Sequence, residues 1–559
     1  MSDLEHRKQL KESILGTLDQ LKKDRSPTES VRWEACGMVR HRSTAFNLGS
    51  TKIPNIKLFD TTGMDAFKTL CNGISGYLIS PSIAWFHFTT RGESFEPSDK
   101  IPGANKFLDD SVQIIRQVFS NTNFYPSTKL AVQDVVAQGT SAEFVVDELD
   151  NNRMNYDTID PQEFYIAEDE NRRVNTFFRL YSISANQAKK KWGDETPKKV
   201  QQLIEKGSGH QQCDFLHAIY PRDEAISKKG QPLFSTEKPF ASIHYSYTDD
   251  EIFIESGYDE FPVAVHRWEL NGTSPYGNSP VIELLPVLKE INELHKQYAV
   301  AVQKYVNPPI FAPEILKGRL NLNPGGVNYL NTAQMGKPEL MQTSLDLNHL
   351  AGKIDSLERK IQREMHADLF NILMRQEQQR TATEVREIKG EGLVLLSSII
   401  GNIQEEKIVP LVIRTFNILM RNGLLPEPSK ELKKVSAGGR VKVELDGPLA
   451  QNMRAHHQTT GLNQALAGVG AVMQMNPDSA VNINFDEVIR LVATAAGAPA
   501  TILRERAEVK KIKAEMVKAQ QAQAEMEQAQ VKADIAQKVQ GSQPGGTTPQ
   551  QMMTGMVGR

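Results

Sequence analysis

The sequence predicts an α+β chain, mainly helical, organised around two long helices joined by a Pro/Gly-rich tip. Three observations carry that prediction. Residues 278–306 and 350–374 each hold an apolar stripe at three- and four-residue spacing over roughly 25 residues, a length of about 40 Å as helix. Between them Pro308, Pro309, Pro313, Pro324, Gly325 and Gly326 interrupt any helix. After Gly139 the apolar period shortens towards two, as strands require.

Taken in order, residues 4–23 place Leu10, Ile14, Leu18 and Leu21 on one helical face, ending before Ser26-Pro27; a second helix begins near Glu29. In residues 58–88, Asp60 or Thr62 can cap a helix whose face is Ala66, Leu70, Ile74 and Leu78. Gly73, Ser75 and Gly76 admit a close backbone neighbour, Ser80-Pro81 stops the helix, and Trp85 to Phe88 read as a strand or packed turn. Two helices follow within 105–137, broken at Asn121 to Pro126. Seven runs, AEFVVDEL, EFYIAED, VNTFFRLYSI, CDFLHAIY, SIHYSY, EIFIES and PVAVHRWEL, read as strands, with a helical stretch (ISANQAKKKWG, then PKKVQQLIEKG) among them. Residues 29–270 thus form an α+β region with a modest mixed sheet. Beyond the long helices come a third helix, a short strand at 441–446, further helices, and residues 504–539, whose Ala/Gln/Lys/Glu composition suits a frayed helix or disorder.

Chain length exceeds what one compact core serves, with 559 residues and 39% hydrophobic content. Mean hydropathy is −0.42. With 65 basic against 68 acidic residues the formal charge is −3, which is no basic footprint for tight nucleic-acid binding. Cys36, Cys71 and Cys213 form no CxxC pair and are expected as reduced thiols. A signal peptide and a membrane span are not expected.

Catalytic motifs are missing from the sequence. There is no GxxxxGK[ST], no HExxH, and no GxGxxG after a strand; His456-His457 point to different faces of a helix. No catalysis, metal site or cofactor is therefore expected. The long helices pose a different question. Leu284, Leu288, Ile291, Leu294, Tyr298, Val302 and Tyr305 line one; Ile354, Leu357, Ile361, Met365, Leu369 and Leu373 line the other. They suit an antiparallel hairpin inside one domain, or helices whose charged faces meet neighbouring subunits. Arg375 to Thr381 holds no apolar residue, and reads either as a solvated linker or as a loop projecting into a lumen.

Four blocks in order resemble the head-to-tail connector, or portal protein, family of short-tailed, T7-like podoviruses. They are FDTTGMDAFKTLCNGISGYLISPSIAWFHF, RWELNGTSPYGNSPVIELLPVLKEIN, NPPIFAP with NPGGVNYL, and RTATEVRE. The resemblance implies a homo-oligomeric ring of about twelve copies at one capsid vertex of the virion. It further implies assembly in the host bacterial cytoplasm and a channel passing double-stranded DNA without sequence specificity. The implied partners are the terminase large subunit, a tail adaptor or tube protein, major capsid and scaffolding proteins, and internal core proteins, with no membrane.

By the same resemblance residues 1–277 are a wing, 278–306 the first stem helix, 307–349 the clip and 350–374 the second stem helix. Residues 375–382 are the tunnel loop, 383–447 a wing helix and return strand, 448–515 crown helices, and 516–559 a disordered tail. Arg375, Gln376, Gln378, Gln379 and Arg380 are the lumen-loop residues, with Lys353, Lys360 and Arg363 as further channel charges. Near-zero net charge suits such a channel, since each phosphate neutralised adds affinity and slows sliding. The alternative, a non-viral helical scaffold or adaptor oligomer, explains the long helices but not the ordered blocks.

Overall fold

The computed structural model describes residues 3–40, 57–90, 104–148, 153–222, 235–317, 320, 321, 323, 326–329, 338–340, 347–374, 399–427, 441–445, 485, 486, 488, 489, 504 and 506–540. The chain divides into two units: one of residues 1–88, 110–426 and 443–497, the other of 89–109, 427–442 and 498–559.

In the first unit, α1 spans Asp3–Val39 and runs straight through Pro27, where the sequence suggests a stop. A proline inside a helix loses a backbone bond and crowds the preceding turn, at about 3 kcal/mol. Flanking arginines offset this by long-range bonds. Arg25 Nη1 donates to Phe164 O at 2.7 Å, and Arg32 donates to the carbonyls of Gln138 and Gly277. Ile14, Leu18 and Leu21 pack, as their spacing predicts, on Phe178, Leu180, Leu216, Ile243 and Ile252.

Helix α2 (Thr62–Leu78) starts where Asp60 Oδ1 accepts the Thr62 N–H and hydroxyl, at 3.2 and 2.8 Å. Ala66, Leu70, Ile74 and Leu78 are all buried. β1 (Phe86–Thr90), α3 (Ala104–Asn121) and α4 (Phe124–Gln138) follow. Trp85, Phe86, Phe119, Phe124 and Tyr156 make an aromatic core in which Phe119 and Phe124 stack at 3.8 Å.

All seven expected strands are present, and the sheet differs from expectation. β2 (Thr140–Glu148), β3 (Arg153–Ile159), β4 (Phe164–Glu168), β5 (Val174–Ser184), β6 (Gln212–Pro221), β7 (Phe240–Ser246), β8 (Glu251–Tyr258) and β9 (Val263–Arg267) form two sheets rather than one. Their orders are β3-β2-β9 and β4-β5-β6-β7-β8. Every pairing is antiparallel, so neither sheet is mixed. β3 was not foreseen, because RMNYDTI carries too few apolar residues to show the period. Between β5 and β6 lie α5 (Ala185–Trp192), with a Ser184/Gln187 capping box, and α6 (Lys198–Glu205).

Two histidines are stacked inside the larger sheet: the rings of His217 and His244 lie 4.0 Å apart. Burial, then the neighbouring His244 and Lys191, lowers His217 well below the usual histidine value; burial, then Lys191, takes His244 down to about 3. The folded state therefore binds fewer protons than the unfolded chain between pH 6.5 and about 3. Stability is full above pH 6.5 and falls as the pH drops through that window. Denaturant titrations at pH 7.5 and 5 should show the loss, and His244→Phe should flatten it; an unchanged slope in that variant would refute the assignment.

α7 (Pro280–Val306), β10 (Ile310–Phe311), β11 (Glu339–Leu340), α8 (Leu347–Glu364) and α9 (Ala367–Met374) carry the chain out to the tip and back. β10 and β11 pair antiparallel. From residue 399 a helix leads through a π-helical turn, Gln404–Ile408, into α10 (Val409–Arg421). Pro410 explains the turn: its ring crowds the carbonyl four residues back, and one extra residue relieves the clash. β12 (Val441–Leu445) matches the expected short strand.

In the second unit, α11 spans Arg506–Gln540. Residues 516–540, within the tail that the resemblance makes disordered, are thus helical, which is one of the two states that the composition of 504–539 suits. Ala, Gln, Glu and Lys are strong helix formers and need no apolar stripe to adopt the conformation. Residues 541–559, and most of 448–503, lie outside the described residues. Among those described, no helix is long and apolar enough to cross a membrane, and the three cysteines are buried thiols outside any disulfide.

Candidate functional site: the long helices and their anchor

The first long helix is fixed at its root by the Tyr276-Gly-Asn-Ser-Pro segment. Ser279 is the N-cap of α7, its hydroxyl accepting the Ile282 N–H at 3.0 Å and donating to Ala137 O at 3.2 Å, while Pro280 takes a first-turn position that needs no donor. Gly277 N donates to Thr140 Oγ1 at 2.9 Å, and its carbonyl accepts from Arg32. Gly139, at φ +81°, ends α4 against this segment; a Cβ there would strike the Gly277 carbonyl. Tyr276 lies under Arg25 and Arg32, whose centres are 5.8 and 5.4 Å from its ring. Burial, assisted by Arg25, lowers Arg32 to about 10.

Above the root α7 changes character. Leu284, Leu285, Leu288 and Ile291 are buried, whereas Leu294, Tyr298 and Val302 are only half-buried and Tyr305 is 72% exposed. The helix therefore emerges from the unit along its length. Followed along α2, neighbours on α7 fall in number, His295 beside Asp60 and Leu288 beside Gly63. Those on α8 and α9 rise, from Glu358 near Asp60 to Phe370 against Gly73. The two long segments thus run in opposite directions, as an antiparallel hairpin requires.

The returning segment is not one helix. It breaks at Met365-His366, where His366 has φ +51°, before α9 resumes. The turn keeps the stripe in the core: Ile354, Ile361, Met365, Leu369 and Phe370 are buried. Gly73 accommodates the Phe370 ring rather than a backbone, and Gly76 faces open space. Gly73→Leu should cost about 1–3 kcal/mol by overpacking. Phe370→Ala in the same chain should recover part of that loss in a denaturant titration; strict additivity would disprove the contact.

Of the residues singled out from sequence, Lys353, Lys360 and Arg363 are exposed on α8. Lys353 Nζ reaches Glu290 Oε1 on α7 at 2.7 Å, and Arg363 reaches its neighbour Glu364 at 3.3 Å. Lys289 reaches Glu34 on α1 at 2.7 Å. Some charges of the long helices are thus satisfied within the chain. Arg375, Gln376, Gln378, Gln379 and Arg380 lie outside the described residues.

Sequence reasoning missed a buried ionic network behind the root. Lys407 Nζ donates to Glu143 Oε2 at 2.6 Å with both side chains wholly buried. His266 is buried beside them, and burial, then Lys407, holds its pKa well below the usual histidine value. Arg267, 3% exposed, donates to Glu168 and Glu406 and to the carbonyls of Pro275 and Arg172. The π-helical turn is what presents Glu406 and Lys407 side by side to β9 and β2. The Arg-Trp pair of the second block was the one available signal, and it named Arg267 without its partners.

The family model described as "Bacteriophage head to tail connecting protein" matches residues 11–503. The chain is 27% identical over 517 residues to the portal protein of Salmonella phage epsilon15, covering 90% of this chain and 91% of that protein. It is 29% identical over 440 residues to the probable portal protein of Bordetella phage BPP-1, with 77% of each covered.

Proposed function

Because the chain belongs to the bacteriophage head to tail connecting protein family, we propose that it forms a ring of about twelve copies at one capsid vertex. The ring's lumen passes double-stranded DNA during packaging and ejection. One observation supports this reading above the others. In the single chain the distal half of α7 and the tip expose Val300, Tyr305, Val306, Phe311, Val327, Tyr329 and Leu340. Apolar surface of that extent is stabilised when copies cover it, as closed symmetry provides.

On this reading α7, α8 and α9 are the stem, the tip is the clip, and residues 375–382 are the tunnel loop. Arg375, Gln376, Gln378, Gln379 and Arg380 face the DNA, with Lys360 and Arg363 as further charges; Lys353 instead ties α8 to α7 through Glu290. The clip docks the terminase large subunit and later the tail adaptor, and the wing meets capsid and scaffolding proteins. No chemistry is performed by the ring itself.

Class averages of the purified protein, viewed down the symmetry axis, test the proposal. The expected result is a ring with an open pore of about 20 Å or more, wide enough for a duplex. Tyr305→Ser with Phe311→Ser should shift the population towards smaller species. Monomers or closed dimers under all conditions would sink the ring.

A further inference from the structure

We propose that Asp60, His295 and Glu358 form a binding site for a divalent transition-metal cation, with Zn²⁺ the best match. The ion would staple α7 and α8 to the loop that opens α2. His295 Nε2 lies 3.4 Å from Asp60 Oδ1 and 3.6 Å from Glu358 Oε1. One ligand atom from each of the three residues lies within 4.8 Å of the other two. Donors on a tetrahedral ion with bonds of about 2.0–2.2 Å stand roughly 3.3–3.6 Å apart, so a small closure completes the site. Water fills the fourth position.

Two further observations point to a ligand. His295 Nε2 is sealed from solvent and has no hydrogen-bond partner, although it is aimed between two carboxylates. A buried ring nitrogen left so is costly unless something occupies its lone pair or its proton is well placed. The surroundings are also pre-arranged. Asn292, one turn before His295, accepts the Phe59 N–H at 2.7 Å and donates to Lys57 O at 3.1 Å. Asp60 is only 8% exposed and is oriented by the Thr62 N–H and hydroxyl. Such outer bonds fix ligand direction in metal sites.

The donor set selects the ion. One imidazole and two carboxylates suit Zn²⁺ or Mn²⁺, whereas Mg²⁺ and Ca²⁺ favour oxygen alone. Two lysines on the same helices are committed elsewhere, Lys353 to Glu290 and Lys289 to Glu34. The site sits where α7 passes from its buried to its exposed half, just beyond Ile291. It is independent of ring assembly.

The test uses full-length protein stripped with EDTA and then titrated with ZnCl₂ alone. Calorimetry and elemental analysis after dialysis should give one ion per chain, and thermal unfolding should shift upward, reversibly with EDTA. His295→Gln and Glu358→Gln should each weaken binding by at least about 10- to 100-fold, the loss that removing an outer partner already brings. Glu290→Gln, whose partner is Lys353, should leave it unchanged. Circular dichroism establishes that each variant is folded. Absence of stoichiometric uptake would overturn the site, as would uptake that both ligand variants retain. A third overturning result is His295→Gln lowering the unfolding temperature while Zn²⁺ has no effect on the parent, which would mark a protonated bridge.

Discussion

Replacing Lys407 by alanine should destabilise the folded chain by about 3–5 kcal/mol, because the Glu143 carboxylate is then buried without a counter-charge. Both side chains have zero exposure, and their 2.6 Å contact joins β2 to the π-helical turn before α10. Thr128 Oγ1, at 3.4 Å from Glu143 Oε1, is too distant to take over. Denaturant unfolding of Lys407→Ala against the parent measures the loss. Lys407→Met with Glu143→Leu should recover most of it, since apolar replacement of a whole buried pair is often neutral or stabilising. A loss under about 1 kcal/mol in the single variant would mean that water reaches the pair, since that is the scale of solvent-exposed ion pairs.

Arg267→Ala should cost a similar amount by a different route. The guanidinium is the common partner of Glu168 and Glu406 and caps two carbonyls, Pro275 at 3.3 Å and Arg172 at 2.9 Å. Removing it leaves carboxylates from β4 and from the π-helical turn facing one another, so about 3–5 kcal/mol is expected. Arg267→Lys should not rescue, because an ammonium cannot reproduce the planar fork. A double-mutant cycle with Glu406→Gln should return a coupling of about 0.5–3 kcal/mol. Independent, additive losses would refute the network. Since Pro275 begins the segment that leads into Ser279, the same variant should loosen the root of α7, read as faster amide exchange in its first turn.

Much of the architecture was legible beforehand. Amphipathic spacing located α1, α2 and α7, and alternation found every strand of the two larger sheets except β3. Three misjudged features share one cause: a local signal does not report what the segment packs against. Pro27 reads as a stop, yet Arg25 and Arg32 hold the helix across it through Phe164, Gln138 and Gly277. The stripe through Met365 reads as one helix, yet the chain turns at His366 while keeping the same face buried. Gly73 reads as a backbone contact, yet it receives an aromatic ring.

The sequence by itself determined which residues face inward, where turns fall, and, through four ordered blocks, the family. Periodicity reports a face and says nothing of what that face meets, because its signal extends over only a few turns. Partners distant along the chain were therefore decided by the tertiary structure alone. It brings Lys407 to Glu143 across 264 positions and Arg267 to Glu406 across 139. It also gathers Asp60, His295 and Glu358 from a loop and two helices, a set whose donors become neighbours only once α2, α7 and α8 have packed.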